Sequence, residues 1–79
     1  MELLLFGITK EIIGANRLLL PANENIGDVA ALKQWLIGKY PPLKRLRSLA
    51  VAVNREYAKD DTLLTGSEEI ALIPPVSGG

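Results

Sequence analysis

Glu69-Ile70-Ala71-Leu72-Ile73-Pro74-Pro75-Val76-Ser77-Gly78-Gly79 are the last eleven residues of the sequence, and their first half decides the fold. From Ile70 to Ile73 there is no polar alternation, which is the pattern of a strand buried on both faces. Pro74-Pro75 forbid its continuation, because proline has no N–H for a ladder. A run of the same character, Glu2-Leu3-Leu4-Leu5-Phe6, stands near the start, too short for a helix and stopped by Gly7. Two strands apolar on both sides belong side by side at the centre of a sheet. Most of the chain separates them, so they are joined by a crossover and run parallel.

Working outward, Ile8, Ile12 and Ile13 fall at i, i+4 and i+5, with Gly14 placed to cap a helix of one or two turns. Arg17 to Leu20 reads as a strand ended by Pro21. Asn25 is the expected N-cap of the main helix, with Asp28 three residues on and Ile26 as the first helical residue. Val29, Leu32, Leu36 and Tyr40 then form one stripe at 3.6-residue spacing, and Pro41-Pro42 end the helix. Gly38 lowers propensity in its last turn. Leu49 to Val53 is a third strand, whose small residues on one alternating face suggest close packing of a helix there. Asn54 suits a turn with positive φ, a brief edge strand fits near Tyr57, and Gly66-Ser67 turns the chain into the last strand. This order gives an α+β fold: a mixed sheet of four or five strands with one main and one short helix. A mixed sheet wrapped round one helix is the β-grasp, or ubiquitin-like, arrangement. The expected organisation is a domain over residues 1–75 and a flexible tail over 76–79.

The 79 residues allow one small core. Nine basic and nine acidic side chains cancel, so no global field draws the protein to nucleic acid or an anionic membrane. The sequence contains neither Cys nor His. Thiolate nucleophiles, disulfides and the commonest general base and metal ligands are thereby excluded. The apolar run Leu3 to Phe6 is too short for a signal segment, and no run approaches a membrane span. The sequence reads as cytoplasmic.

What remains reactive is the terminal carboxylate. Pro74-Pro75 give a stiff, extended exit from the last strand, and four more residues reach at most about 14 Å. Gly78-Gly79 leave the carboxylate unshielded and the backbone thin enough to enter a partner's active site. A carboxylate is a poor electrophile, so acyl chemistry there needs ATP and a partner enzyme to form an acyl-adenylate. Attack by a sulfur donor on that adenylate leaves a thiocarboxylate. A Gly-Gly ending can equally be a frayed terminus.

The ending Ala71-Leu72-Ile73-Pro74-Pro75-Val76-Ser77-Gly78-Gly79 resembles the C-terminus of the small, sulfur-carrying subunits of molybdopterin synthase. Leu5-Phe6-Gly7 with Lys10-Glu11-Ile12-Ile13-Gly14, Asn25-Ile26-Gly27-Asp28-Val29, and Ala52-Val53-Asn54 with Glu56 are similar to further stretches of that family. Lys10 stands where the family usually has Arg, and Ser67 where it usually has Asp. The resemblance implies a non-catalytic carrier with no bound cofactor. It also implies a heterotetramer with the large subunit and an adenylating partner of the ubiquitin-activating type that uses ATP and Mg²⁺. Gly79 would be the reacting group, adenylated and then thiolated, giving its sulfur to cyclic pyranopterin monophosphate. Val76, Ser77, Gly78 and Gly79 would enter the partner. Sulfur carriage for thiamine or tRNA thiolation, conjugation to a target lysine, and a plain interaction module are the alternative readings.

Ile73, Pro74, Pro75 and Val76 form an apolar collar with no core left to fill, and are expected to face a partner. Lys10 is read either as a partner of the tail carboxylate or of an acidic residue, or as a surface charge beside Glu11. Lys39, Lys44, Arg45 and Arg47 read as a solvated face. Trp35 reads as a half-buried flank of the core. Asp60-Asp61 and Glu68-Glu69 make a poor cation site, because adjacent strand residues point to opposite sides.

Overall fold

The computed structural model describes residues 1–21, 26–46 and 49–74. In chain order the elements are β1 (Glu2–Leu5), α1 (Gly7–Ile13), β2 (Arg17–Leu19), α2 (Val29–Lys39), a 3₁₀ helix (Pro41–Arg45), β3 (Ala50–Val53), β4 (Glu56–Tyr57) and β5 (Ile70–Ile73). The strands form one sheet in the order β2-β1-β5-β3-β4. β5 runs parallel to β1 and antiparallel to β3. The two apolar runs thus lie together with β5 in the middle, as their composition implies, and the fold is an α+β β-grasp.

Register assigns the faces. Leu3 lies opposite Ile70, and Leu5 and Val51 lie opposite Leu72. These side chains meet Val29, Leu32 and Leu36 of α2 in one buried cluster, to which Leu20, Leu43 and Leu64 also belong. Tyr40 and Trp35 flank it half-buried, with the Lys39 ammonium 5.4 Å above the Trp35 ring. The alanines of β3 correct the sequence reading. Val51, not Ala50 or Ala52, faces α2, and the small residues lie on the opposite, helix-free side of the sheet. The α2 layer is close enough to enclose Val51 fully, so small residues were not needed beneath it.

The main helix also starts later than expected. Ile26 is not helical, and Asp28 is itself the N-cap, its Oδ1 accepting from the Ala31 N–H at 2.8 Å. The expected cap, Asn25, lies outside the described residues. The physical reason is a loop distant in sequence. The Val29 N–H donates to the Thr62 carbonyl at 3.0 Å and the Ala30 N–H to the Asp60 carbonyl at 2.9 Å, while the Gly27 carbonyl accepts from Leu64. Orphan donors of the first turn are satisfied there, and Lys33 Nζ fastens the same loop to α2 through Asp60 at 2.8 Å. At the other end Gly38 stays helical. Tyr40, held out of the helical region by Pro41, closes α2 by donating to the Leu36 carbonyl at 2.7 Å. The chain then continues as the 3₁₀ helix, which buries Leu43.

Two turns follow their residues. Asn54 and Arg55 both have positive φ, 52° and 70°, linking β3 to β4 in the twist that a two-residue hairpin requires. Asn54 also accepts from the Glu69 N–H at 3.0 Å, at the threshold of β5. In the Thr65–Glu68 turn the Glu68 carboxylate accepts from the Thr65 N–H, the Gly66 N–H and the Thr65 hydroxyl, all within 2.8–3.1 Å. Led by the Thr65 N–H, these bonds lower its pKa from 4.5 to about 2. A carboxyl with a depressed folded pKa stabilises above its unfolded value, and that contribution is lost as pH falls from 4.5 towards 2. An NMR titration following the Thr65 and Gly66 amides is expected to show a midpoint near 2. A midpoint at the ordinary glutamate value would contradict the geometry.

Thr9, fully buried, locks the corner between β1 and α1. Its hydroxyl donates to the Phe6 carbonyl and accepts from the Phe6 N–H at 3.2 Å. Thr9→Val keeps the shape and removes both of these hydrogen bonds to Phe6. The expected cost is about 1–3 kcal/mol, read as a lower urea midpoint at unchanged slope. Thr9→Ser, which retains the hydroxyl, is expected to recover most of the loss.

Candidate functional site: the root of the C-terminal tail

β5 delivers the chain to Ile73 and Pro74 at one end of the sheet, beside α1. The β1–β5 register ends at Leu5 opposite Leu72. Carried on by two residues, it sets Phe6 beside Ile73 and Gly7 beside Pro74. The contact found is very close: a Cβ placed on Gly7 would stand 3.0 Å from Pro74 Cγ. Gly7 has φ +56°, the left-handed region that turns the chain out of β1 and into α1. The bare backbone so exposed is where the Pro74 ring lies.

The sequence-predicted residues separate into three groups. Ile73 and Pro74 come together at the tail root, both half-buried, and Pro74 packs in part on its own chain. Lys10, exposed on α1, borders the same place: it and Gly7 line one shallow depression with Glu11, Gly14 and Asn16. Among the described residues Lys10 makes no ion pair. Pro75, Val76, Ser77, Gly78 and Gly79 lie outside the described residues.

From the tail root a row of apolar residues crosses the helix-free face of the sheet, Ala52 buried and Leu4, Ala50 and Ala71 half-buried, which sequence reasoning missed. Ile73 pairs with Ala50 there. Leu4, Ala71, Ala52 and Tyr57 follow one another across β1, β5, β3 and β4. Phe6, 51% exposed and still extended, continues the outward alternation of Leu4. The signal in the sequence was the Ala50/Ala52 alternation, legible only once the covered face was known.

The described surface offers little chemistry of its own. Among the described residues no three Asp or Glu converge as a metal site, and acids of both candidate pairs are engaged: Asp60 by Lys33, Glu68 by its turn, and Glu69 by Arg55 at 3.8 Å. No helix among the described residues is long and apolar enough to cross a membrane.

The profile of the ThiS family matches residues 3–79, the body and the tail together. The chain belongs to the ThiS family. Relatives include the molybdopterin synthase sulfur carrier subunit of Arabidopsis thaliana, 35% identical over 80 residues, covering 100% of this chain and 82% of the relative. The protein of the same name from Dictyostelium discoideum is 36% identical over 83 residues, covering 99% of this chain and 94% of the relative. The solution structure of small archaeal modifier protein 1 from Methanosarcina acetivorans superposes with a TM-score of 0.78 at 28% identity. It covers 99% of this chain and 94% of that one. This ThiS-family chain is therefore similar to sulfur carriers and to a protein modifier, all on the ubiquitin-like β-grasp.

Proposed function

We propose that the protein is a sulfur carrier of molybdenum cofactor biosynthesis, with the Gly79 carboxylate as its reacting group. The observation that carries this reading is end-to-end similarity to proteins named molybdopterin synthase sulfur carrier subunits. In the proposed cycle a carboxylate oxygen of Gly79 attacks the α-phosphorus of ATP and pyrophosphate leaves. Sulfide-level sulfur, as HS⁻ released by a sulfur donor, then attacks the acyl carbon, the acyl–phosphate C–O bond breaks and AMP leaves, giving a C-terminal thiocarboxylate and a proton. In a large subunit the thiocarboxylate sulfur attacks a carbon of cyclic pyranopterin monophosphate, forming a C–S bond as an oxygen substituent leaves. Water then cleaves the acyl–sulfur bond, so that the sulfur stays on the pterin and Gly79 returns as a carboxylate. With neither Cys nor His in the sequence, the adenylating enzyme, with its Mg²⁺, and the large subunit supply the catalysis.

Val76, Ser77, Gly78 and Gly79 enter the partner in this reading, thin enough to thread a channel. Ile73, Pro74 and Pro75, with Phe6 and the alanine rows, form the docking surface around the entrance, and Lys10 borders it as a positive charge. Thiolated chain mixed with a molybdopterin synthase large subunit and cyclic pyranopterin monophosphate is expected to yield molybdopterin. Failure there, with successful sulfur transfer to a thiamine-pathway acceptor or to tRNA, would redirect the proposal. A second reading, protein modification through an isopeptide bond from Gly79 to a target lysine, is favoured by the likeness to small archaeal modifier protein 1.

A further inference from the structure

We infer that Gly7 is a positioning residue for the C-terminal tail: its bare backbone seats the Pro74 ring and so sets the direction in which the last five residues leave the body. This rests on the carrier reading only for its consequence in catalysis; the geometry stands without it. Three observations converge. The parallel register of β1 and β5, extended by two residues, brings Gly7 level with Pro74. A Cβ at Gly7 would lie 3.0 Å from Pro74 Cγ, closer than a side chain tolerates without something moving. The neighbour cannot easily give, because the ring is tied to a backbone whose preceding residues, Leu72 and Ile73, are held in the sheet by β1 and β3.

The seat itself is stiff. Buried Thr9 clamps both backbone groups of Phe6, the residue before Gly7, and Gly14 closes the short helix behind it by donating to the Lys10 carbonyl at 2.8 Å. A proline has one ring plane and a fixed φ. A ring held against a clamped corner therefore restricts the vector along which the next residue departs. With reacting atoms needing placement within about an ångström, a bias in the departure direction at Pro74 changes how often the terminal carboxylate reaches a partner's active site.

The test uses the absence of cysteine from the sequence. A single Glu11→Cys substitution on the exposed side of α1 takes one spin label, and paramagnetic broadening of the Ser77, Gly78 and Gly79 amides reports where the tail points. Gly7→Ala, measured where the body is folded, is expected to change that broadening pattern. It should also lower kcat/KM for adenylation by about tenfold. Adding Pro74→Ala to Gly7→Ala removes the ring that the new methyl meets, and is expected to recover part of kcat/KM although the strain at φ +56° remains. A role limited to fold stability would leave kcat/KM of the folded Gly7→Ala protein unchanged and lower only its melting midpoint. Pro74→Ala alone, which leaves Gly7 untouched and so guards against misfolding of Gly7→Ala, is expected to flatten the broadening across the tail. Unchanged broadening in both single variants would overturn the inference. If the parent chain is never adenylated, the carrier reading fails while the broadening still judges the seat; if it is adenylated and the broadening is insensitive, only the seat fails.

Discussion

Deletion of Gly79 is expected to abolish sulfur transfer while leaving the thermal midpoint within about 2 °C of the parent. The shortened chain still ends in a glycine carboxylate, so its intrinsic reactivity towards ATP is unchanged. What changes is reach, by the length of one extended residue, about 3.5 Å. Misplacement of 1 Å in a reacting group can cost about a hundredfold, so a loss of at least that size is expected in adenylation. Stability should be indifferent, because the buried cluster is complete by Leu72. Adenylation by pyrophosphate exchange and melting by circular dichroism check the two halves. A large fall in the midpoint would mean that the tail contributes to the core.

Leu72→Ala is expected to do the reverse, destroying stability with the tail left whole. Leu72 is fully buried on the central strand, opposite Leu5 on one side and Val51 on the other. Removing its side chain leaves a cavity between sheet and α2 at a cost of about 2–5 kcal/mol. A domain of 79 residues has about 4–12 kcal/mol to lose. The midpoint should fall by roughly 10–30 °C, leaving much of the population unfolded at 37 °C. A fall of only a few degrees would show that the sheet and α2 collapse around the gap. Activity per folded molecule at low temperature is expected to survive, since Pro74 and Gly7 do not depend on that side chain.

These expectations draw on features of unequal legibility in the sequence. The β1–β5 pair was legible because both runs lack polar alternation, and only a central strand needs to be apolar on both faces. Gly14 and Asn54 were legible because a helix C-cap and a tight hairpin demand left-handed backbone, found at φ 86° and 52°. The start of α2 was not, because the Asp60 and Thr62 carbonyls that receive its first N–H groups come from some thirty residues away. Periodicity is equally silent about Leu43, buried by a short 3₁₀ helix.

At the tail root, composition pointed to Ile73 and Pro74 but not to what they touch. Gly7 read only as a strand stop. Its contact with Pro74 depends on a parallel register that no local pattern encodes, and the same register turns Ala50 and Ala52 away from α2. Lys10 was singled out by the resemblance, standing where that family usually has Arg, and the structure sets it at the edge of the depression that Gly7 lines.

The central claim, that Gly79 carries sulfur, is tested most directly by the intact mass of the chain. The purified protein is incubated with a ubiquitin-activating-type adenylating enzyme, ATP, Mg²⁺ and a sulfur donor. The predicted result is one species heavier by the difference between sulfur and oxygen, dependent on ATP and absent after deletion of Gly79. An unchanged mass with an activating enzyme shown to be competent would contradict the claim, and a ladder of heavier protein adducts would assign the tail to conjugation instead.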